Sequence, residues 1–359
     1  MTSEALHTIG RFFLPRFTGK TEPVGSGLIH RTFHLQDEAT GNAYALQQVN
    51  TTVFQDPGKL QRNYRYVAQA LRMAGSRYQL PEMIVSPMDR ELIYEKGSSD
   101  PWRMFAWVEN ATTLTDVHDS GQAYVVAAAF GRFSADLLQA DPIRLQVVIP
   151  DFHNLEFRFR QLQNAVKNAV PGRLEPALPL LEKLEAYMPL VDFFRRIRTD
   201  TARFRNYILH HDAKISNILF DRSSGEVLTP VDLDTVMAGY YFSDFGDMVR
   251  SLAPDMDENA AACSDMRIRS GHYEALREGY LERMYDCFSA DERTHFDYSG
   301  LLLAYMQSLR FMADYLNGDR YYRVAHAGHN LDRARNQLTL LQRLEDFLIS
   351  RYGIARCGK

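Results

Sequence analysis

Between His210 and Asp221 the chain reads HHDAKISNILFD, which puts Asp212 two residues before Lys214 and five before Asn217. A further carboxylate, Asp232, follows twenty residues after Asp212 in the run VDLD. Phosphoryl transfer needs such a set. One carboxylate orients an acceptor hydroxyl and takes its proton, while a carboxamide and a second carboxylate hold magnesium on the phosphates of ATP. Lys214 can balance charge on the transferred group. Asp and Asn taken singly favour turns for local hydrogen-bonding reasons. The joint pattern between two short strands is what points to chemistry.

Other residues invite the same question. Gly25-Ser26-Gly27-Leu28-Ile29-His30 carries two glycines between the first two expected strands, where backbone N–H groups can approach phosphate; a plain hairpin turn is the competing reading. Arg310 and Asp314 lie four apart in an expected helix that is apolar nearly all round, so this charged pair must find partners, either each other or a ligand. Asp244-Phe245-Gly246 has the look of a metal-binding triplet, but it lies 32 residues after Asp212 and is read as structural. Thr18-Gly19-Lys20-Thr21 lacks the earlier glycine and preceding strand of a phosphate loop and is read as a surface turn. His326 and His329 have no further ligands beside them and are read as a surface pair.

The elements that must position these residues change in texture near residue 110. Before it, segments near 21–25, 31–36, 43–49, 91–95 and 102–108 read as strands. One helix interrupts them, with Asp56-Pro57 at its start, Leu60, Tyr64, Val67 and Leu71 on one face and Gly75 at its end. After residue 110 the pattern is helical: Val126, Phe130, Phe133 and Leu137 form a stripe, and periodic runs follow at 174–197, 271–288, 300–316 and 331–350. Short strands are expected only at 206–209, 218–220 and 227–233. The expected class is α+β, with a sheet lobe over residues 1–108 and a helical lobe over 109–359.

Composition narrows the partners. A formal net charge of -4 with acids and bases interspersed offers no basic face for a nucleic-acid backbone. Cys263, Cys287 and Cys357 are odd in number and form no CxxC pair, so neither a disulfide framework nor a zinc site is expected. The first residues lack a basic start followed by an apolar run, and YVVAAAF at 124–130 is too short to span a bilayer. A cytoplasmic protein acting on a small molecule, with no protein partner, is expected.

His210, Asp212, Asn217, Asp232 and Asp234 match in order the motifs of the aminoglycoside phosphotransferase and choline kinase superfamily, which the chain resembles. The resemblance implies a protein-kinase-like fold of two lobes and the use of ATP and Mg2+. It also implies Asp212 as base, Asn217 and Asp232 as metal ligands, His210 as a loop-ordering residue, and Asp234 as an aid to metal or substrate. Trp102–Glu109 resembles the hinge where adenine meets the backbone of Ala106 to Val108. Gln47 and Gln48 stand where a phosphate-binding lysine is usual, and the helix at 57–75 has no acid to pair with one; a neutral hydrogen-bonding substitute follows, with Arg62 or Arg65 as another way to reach phosphate. Over nearly the whole chain, GSGLIHRTF, YALQQVN, HHDAKISNIL, VDLDTVMAGYYFSDFGDMVR, RFMADYLNGDRYY and HNLDRARNQ resemble bacterial N-acetylhexosamine 1-kinases. That resemblance implies phosphorylation of the anomeric hydroxyl of N-acetylglucosamine or N-acetylgalactosamine. Arg310 and Asp314 would then touch the sugar, with Tyr321 or Tyr322 as a wall. Leu28 departs from that family's polar residue, which leaves the acetamido and C4 preferences open. Kinases for an aminoglycoside, choline or homoserine, and an inactive nucleotide-binding protein, are the alternatives.

Overall fold

The computed structural model describes residues 2–25 and 29–357. It divides into two compact units, one of Met1–Thr113, Ile143–Pro150 and Leu219–Met237, the other of Leu114–Pro142, Asp151–Ile218 and Ala238–Lys359. No described helix is long and apolar enough to cross a membrane.

In the first unit, helix α1 (Ser3–Phe13) leads into strands β1 (Gly19–Pro23), β2 (Arg31–Asp37) and β3 (Ala43–Gln48), then helix α2 (Pro57–Met73), β4 (Met83–Ile84) and β5 (Trp102–Ala106). The strands form one antiparallel sheet in the order β1-β2-β3-β5-β4. Leu6, Ile9 and Phe13 of α1 pack with Phe33, Leu35, Leu46, Trp102 and Met104 of the sheet. Because side chains alternate along a strand, this register turns Thr32, Gln47 and Arg103, which are cross-strand neighbours, to the other face. A smaller sheet of β6 (Ala111–Thr112), β8 (Ile218–Asp221) and β9 (Val227–Pro230) completes the unit.

Four expectations change here. The N-terminal helix was not anticipated, although Thr2 caps it by accepting from the Ala5 N–H and its apolar spacing is regular. Thr18–Thr21 leads into the edge strand β1 and is no surface turn, with Lys20 paired to Gln36. Residues 91–95 give a single bridge, Ile93 to Trp102, while Glu91 pairs with Arg65 and Glu95 accepts from the Trp102 indole. The strand expected to reach 233 stops at Pro230, and the backbone then turns left-handed at Asp232 (φ 60°).

The second unit is helical: α3 (Ser120–Asp136), α4 (Leu155–Lys167), α5 (Leu174–Glu185), α6 (Pro189–Thr199), α7 (Phe242–Leu252), α8 (Ser270–Met284), α9 (Ala290–Thr294), α10 (Ser299–Leu316) and α11 (His329–Tyr352). The stripe Val126, Phe130, Phe133 and Leu137 is buried as its spacing demands. Helices α3 and α8 meet through two glycines. A Cβ on Gly131 would lie 2.7 Å from the Tyr280 carbonyl oxygen, and one on Gly279 would lie 2.4 Å from that of Tyr124. The run at 174–197 divides at Pro189, which opens α6. Strand β7 (Asn206–Leu209) pairs with β10 (Met237–Tyr240), and the run from His210 to Asp221 begins where β7 ends.

Candidate active site

Strand β7 is buried from Tyr207 to Leu209, and the chain leaves it through a loop whose shape is imposed from beneath. Asp244, fully buried in the first turn of α7, accepts the His211 N–H on Oδ1 at 2.7 Å and the His210 N–H on Oδ2 at 2.9 Å. Burial pushes its carboxyl up to about 6, against the pull of those bonds and of His210. The sequence reading of Asp244 as structural fits this geometry. The buried His210 ring meets Phe130 and Phe133 edge-on, which suits the loop-ordering role expected of it.

His211 takes a left-handed backbone (φ 64°), an uncommon state for a residue with a Cβ. Its ring fills the space beside Gly239, where a Cβ would lie 2.3 Å from His211 Cε1. His211 Nδ1 lies 2.7 Å from Ser243 Oγ, and His153 Nδ1 lies 2.5 Å from the same oxygen. Burial holds His153 well below the ordinary imidazole range, so it is neutral. His153 and Ser243 were not found from sequence; 90 positions separate them, and nothing local marks either.

This twisted loop delivers Asp212. Its Oδ2 accepts from Lys214 Nζ at 2.8 Å and from Asn217 Nδ2 at 2.9 Å, and Nδ2 also donates to the Asp212 carbonyl at 3.0 Å. The side chain keeps 32 % of its surface exposed, enough for a hydroxyl to reach it. Burial works against its charge, but Lys214, His210 and the Asn217 amide hold its carboxyl below the usual range. Asp212 is therefore an ionised acceptor at neutral pH. Asn217 spends its amide nitrogen on Asp212, which leaves Oδ1, the hard oxygen that magnesium prefers. No cluster of three or more His, Cys, Asp or Glu ligands occurs among the described residues. Magnesium does not need one, since one or two protein oxygens with water and phosphate suffice. The donors present fit it.

In the same unit, the Arg310 guanidinium lies 5.8 Å from the Phe152 ring centroid, 5.9 Å from Tyr321 and 5.5 Å from Tyr322, and Nη1 donates to Gln307 at 3.1 Å. Phe152 stacks on His153 and reaches His211, the residue before Asp212. Arg310 and Asp314 do not form the ion pair that their spacing permits. Asp314 accepts the backbone N–H groups of Arg320 (3.0 Å), Tyr321 (2.8 Å) and Tyr322 (2.9 Å), together with the Asn330 amide (2.9 Å). The expectation that Asp314 touches substrate is corrected on that ground: it shapes the turn that carries the two tyrosines.

In the first unit, Asp232 is left-handed and opens a short 3-10 turn, Leu233–Thr235. Asp234 is buried within that turn. Its Oδ1 accepts from Arg103 Nη1 (2.7 Å), its Oδ2 from Arg103 Nη2 (2.5 Å), and His30 Nε2 lies 2.7 Å from Oδ2. Burial opposes the charge, yet Arg103 and His30 hold the carboxyl far below its usual range. Its expected place on substrate is thus corrected, since both oxygens are sealed. Gln47 is corrected too: Oε1 accepts from Arg103 and Nε2 donates to Thr32 at 3.1 Å. Gln48 accepts from Arg31 Nη1 on its Oε1 at 3.4 Å. Arg62 and Arg65 pair with Asp56 and Glu91. Ala106 donates its N–H to the Glu82 carbonyl at 2.8 Å, whereas Val108 lies beyond the end of β5. Gly25 is left-handed (φ 63°), whereas Ser26, Gly27 and Leu28 lie outside the described residues. Arg103 was missed, although an arginine between the apolar residues Trp102 and Met104 was a signal that a buried partner must exist.

The profile of a family described as the phosphotransferase enzyme family matches residues 20–280. Among solved structures, an aminoglycoside phosphotransferase from Alicyclobacillus acidocaldarius is 13 % identical, with 94 % of this chain and 93 % of that one covered and a TM-score of 0.59. A choline kinase from Cryptosporidium parvum is 11 % identical, covering 98 % and 97 %, at 0.56. A spectinomycin phosphotransferase in complex with ADP and spectinomycin is 11 % identical, covering 96 % and 98 %, at 0.56. At these identities the likeness is one of fold: mixed α+β, with a small antiparallel sheet and a mostly helical remainder.

Proposed function

Since the chain belongs to this phosphotransferase family, and so acts on the hydroxyl of a small molecule, we propose that it carries the γ-phosphoryl group of ATP to the anomeric hydroxyl of an N-acetylhexosamine, in the cytoplasm. Residues 1–108 are assigned to the nucleotide and residues 109–359 to the catalytic loop and sugar.

The observation that carries this reading is Asp212, partly exposed and kept ionised by Lys214 at 2.8 Å and Asn217 at 2.9 Å. In the proposed mechanism the anomeric hydroxyl donates to Asp212, which aims the oxygen at the γ-phosphorus and takes the proton as the new P–O bond forms and the bond from that phosphorus to the bridging oxygen breaks, releasing ADP. Lys214 keeps Asp212 charged before the step and offsets the charge of the incoming phosphates. Asn217, through Oδ1, and Asp232 are the proposed magnesium ligands; magnesium, when bound, neutralises the phosphate oxygens. Gly25, Ser26, Gly27, Gln48 and Val108 are assigned to ATP.

Three features support the amino sugar. The motif resemblance runs nearly end to end. Arg310 has aromatic neighbours and a neutral amide rather than a carboxylate partner, and a planar guanidinium suits pairs of ring hydroxyls. Tyr321, 68 % exposed, supplies an accessible wall. A cationic acceptor such as choline or an aminoglycoside would meet that arginine unfavourably. Free sugars assayed for ATP-dependent ADP release test the reading: N-acetylglucosamine or N-acetylgalactosamine should turn over best, and selective turnover of choline, homoserine or an aminoglycoside would overturn it.

A further inference from the structure

The third strand lacks its usual lysine, yet a cation has been placed beside the vacant role. Arg103 on β5 is the cross-strand neighbour of Gln47 on β3, on the sheet face away from the apolar core. Its Nε and Nη2 donate to Gln47 Oε1 at 2.8 and 2.5 Å, Nη1 and Nη2 to Asp234 at 2.7 and 2.5 Å, and Nη1 to Gln61 Oε1 at 3.4 Å. A guanidinium has five N–H donors, and these contacts use all five. Arg103 therefore has nothing left for a phosphate, and its side chain is only 4 % exposed.

What it grips lies two residues past Asp232. The turn at 232–235 starts from a left-handed aspartate, a conformation of low intrinsic population that the surroundings must enforce. Three elements of this unit do so. Arg103 holds Asp234 bidentately from β5; His30, which also accepts the Asn50 N–H at 3.1 Å, holds it from the end of the glycine loop; and Asn63 on α2 donates to the Val236 carbonyl at 3.0 Å. A buried ion pair is a poor source of stability, because desolvation offsets its attraction. Its bidentate geometry is well suited to fixing register and direction.

We propose that Arg103 is a positioning residue for Asp232: through Asp234 it sets the angle of the magnesium-binding carboxylate, and the third-strand glutamine is there to receive that arginine. This rests on the phosphotransfer reading and is independent of which acceptor is used. A lysine at 47 would place a second cation against Arg103, which explains why the usual residue is missing.

Calorimetric binding of ADP, measured against magnesium concentration and without any acceptor, tests it. Arg103→Gln should raise the magnesium needed for half-maximal ADP binding about tenfold, and leave metal-free ADP affinity within about twofold. Arg103→Lys, which keeps charge but loses the fork, should give an intermediate shift, and covers the case in which Arg103→Gln does not fold. The double variant Gln47→Lys with Arg103→Gln, which returns the cation to β3, should recover part of the loss. Folded variants with unchanged magnesium dependence would overturn the proposal and reduce the network to packing. A parent chain that binds no ADP with magnesium would instead bring down the phosphotransfer reading beneath it.

Discussion

At the scale of single residues, Asp212, Lys214 and Asn217 form their contacts within six positions of sequence, which is why the pattern could be read before the structure was known. Asp212→Asn should lower turnover by on the order of 10²- to 10⁴-fold, because the lost group acts on the acceptor proton, and should leave ADP binding nearly intact. Near-normal turnover in that variant would remove Asp212 as base. Arg103 and Asp234 stand 131 positions apart, and only the sheet register and the turn after Pro230 bring them together, so no local signal could pair them. Arg310 was legible as a charge needing a partner, with Tyr321 or Tyr322 beside it, but Phe152 was not, since it is far away in sequence. Arg310→Lys keeps the charge and loses the planar fork. Sugar KM should rise about tenfold or more while ATP KM holds; equal changes in both would take Arg310 off the sugar.

At the scale of elements, α3 declared itself by a stripe that must be buried over several turns, and α10 by a run apolar nearly all round, which the structure buries on every side. Helix α7 did not, since its eleven residues were read as a motif rather than as a period. Yet α7 supplies Asp244, whose carboxylate fixes the loop that precedes Asp212. Asp244 is pushed up to about 6 from an ordinary 3.8, so the folded chain binds its proton more tightly than the unfolded chain. The stabilisation from that proton is complete below pH 3.8 and is lost as pH rises through 6. Over this interval the parent should lose about 3 kcal/mol relative to Asp244→Asn, which cannot titrate. The gap in Tm between parent and variant should therefore move in the variant's favour from pH 4 to pH 7. A constant gap would mean that Asp244 does not titrate in this range in the folded protein.

At the scale of the whole molecule, the change of texture near residue 110 was enough to give a mixed α+β fold, because sheet and helix periods differ along the entire chain. The acceptor was not readable in the same way. A handful of side chains around Arg310 decide it, and the polar position expected of the resembled kinases is Leu28 here, outside the described residues. The most direct test of the central claim is phosphorus NMR of the product formed from ATP and N-acetylglucosamine or N-acetylgalactosamine. The account predicts a sugar 1-phosphate, its phosphorus signal split by the anomeric proton. A 6-phosphate, or no product from either amino sugar alongside good turnover of choline, homoserine or an aminoglycoside, would contradict it.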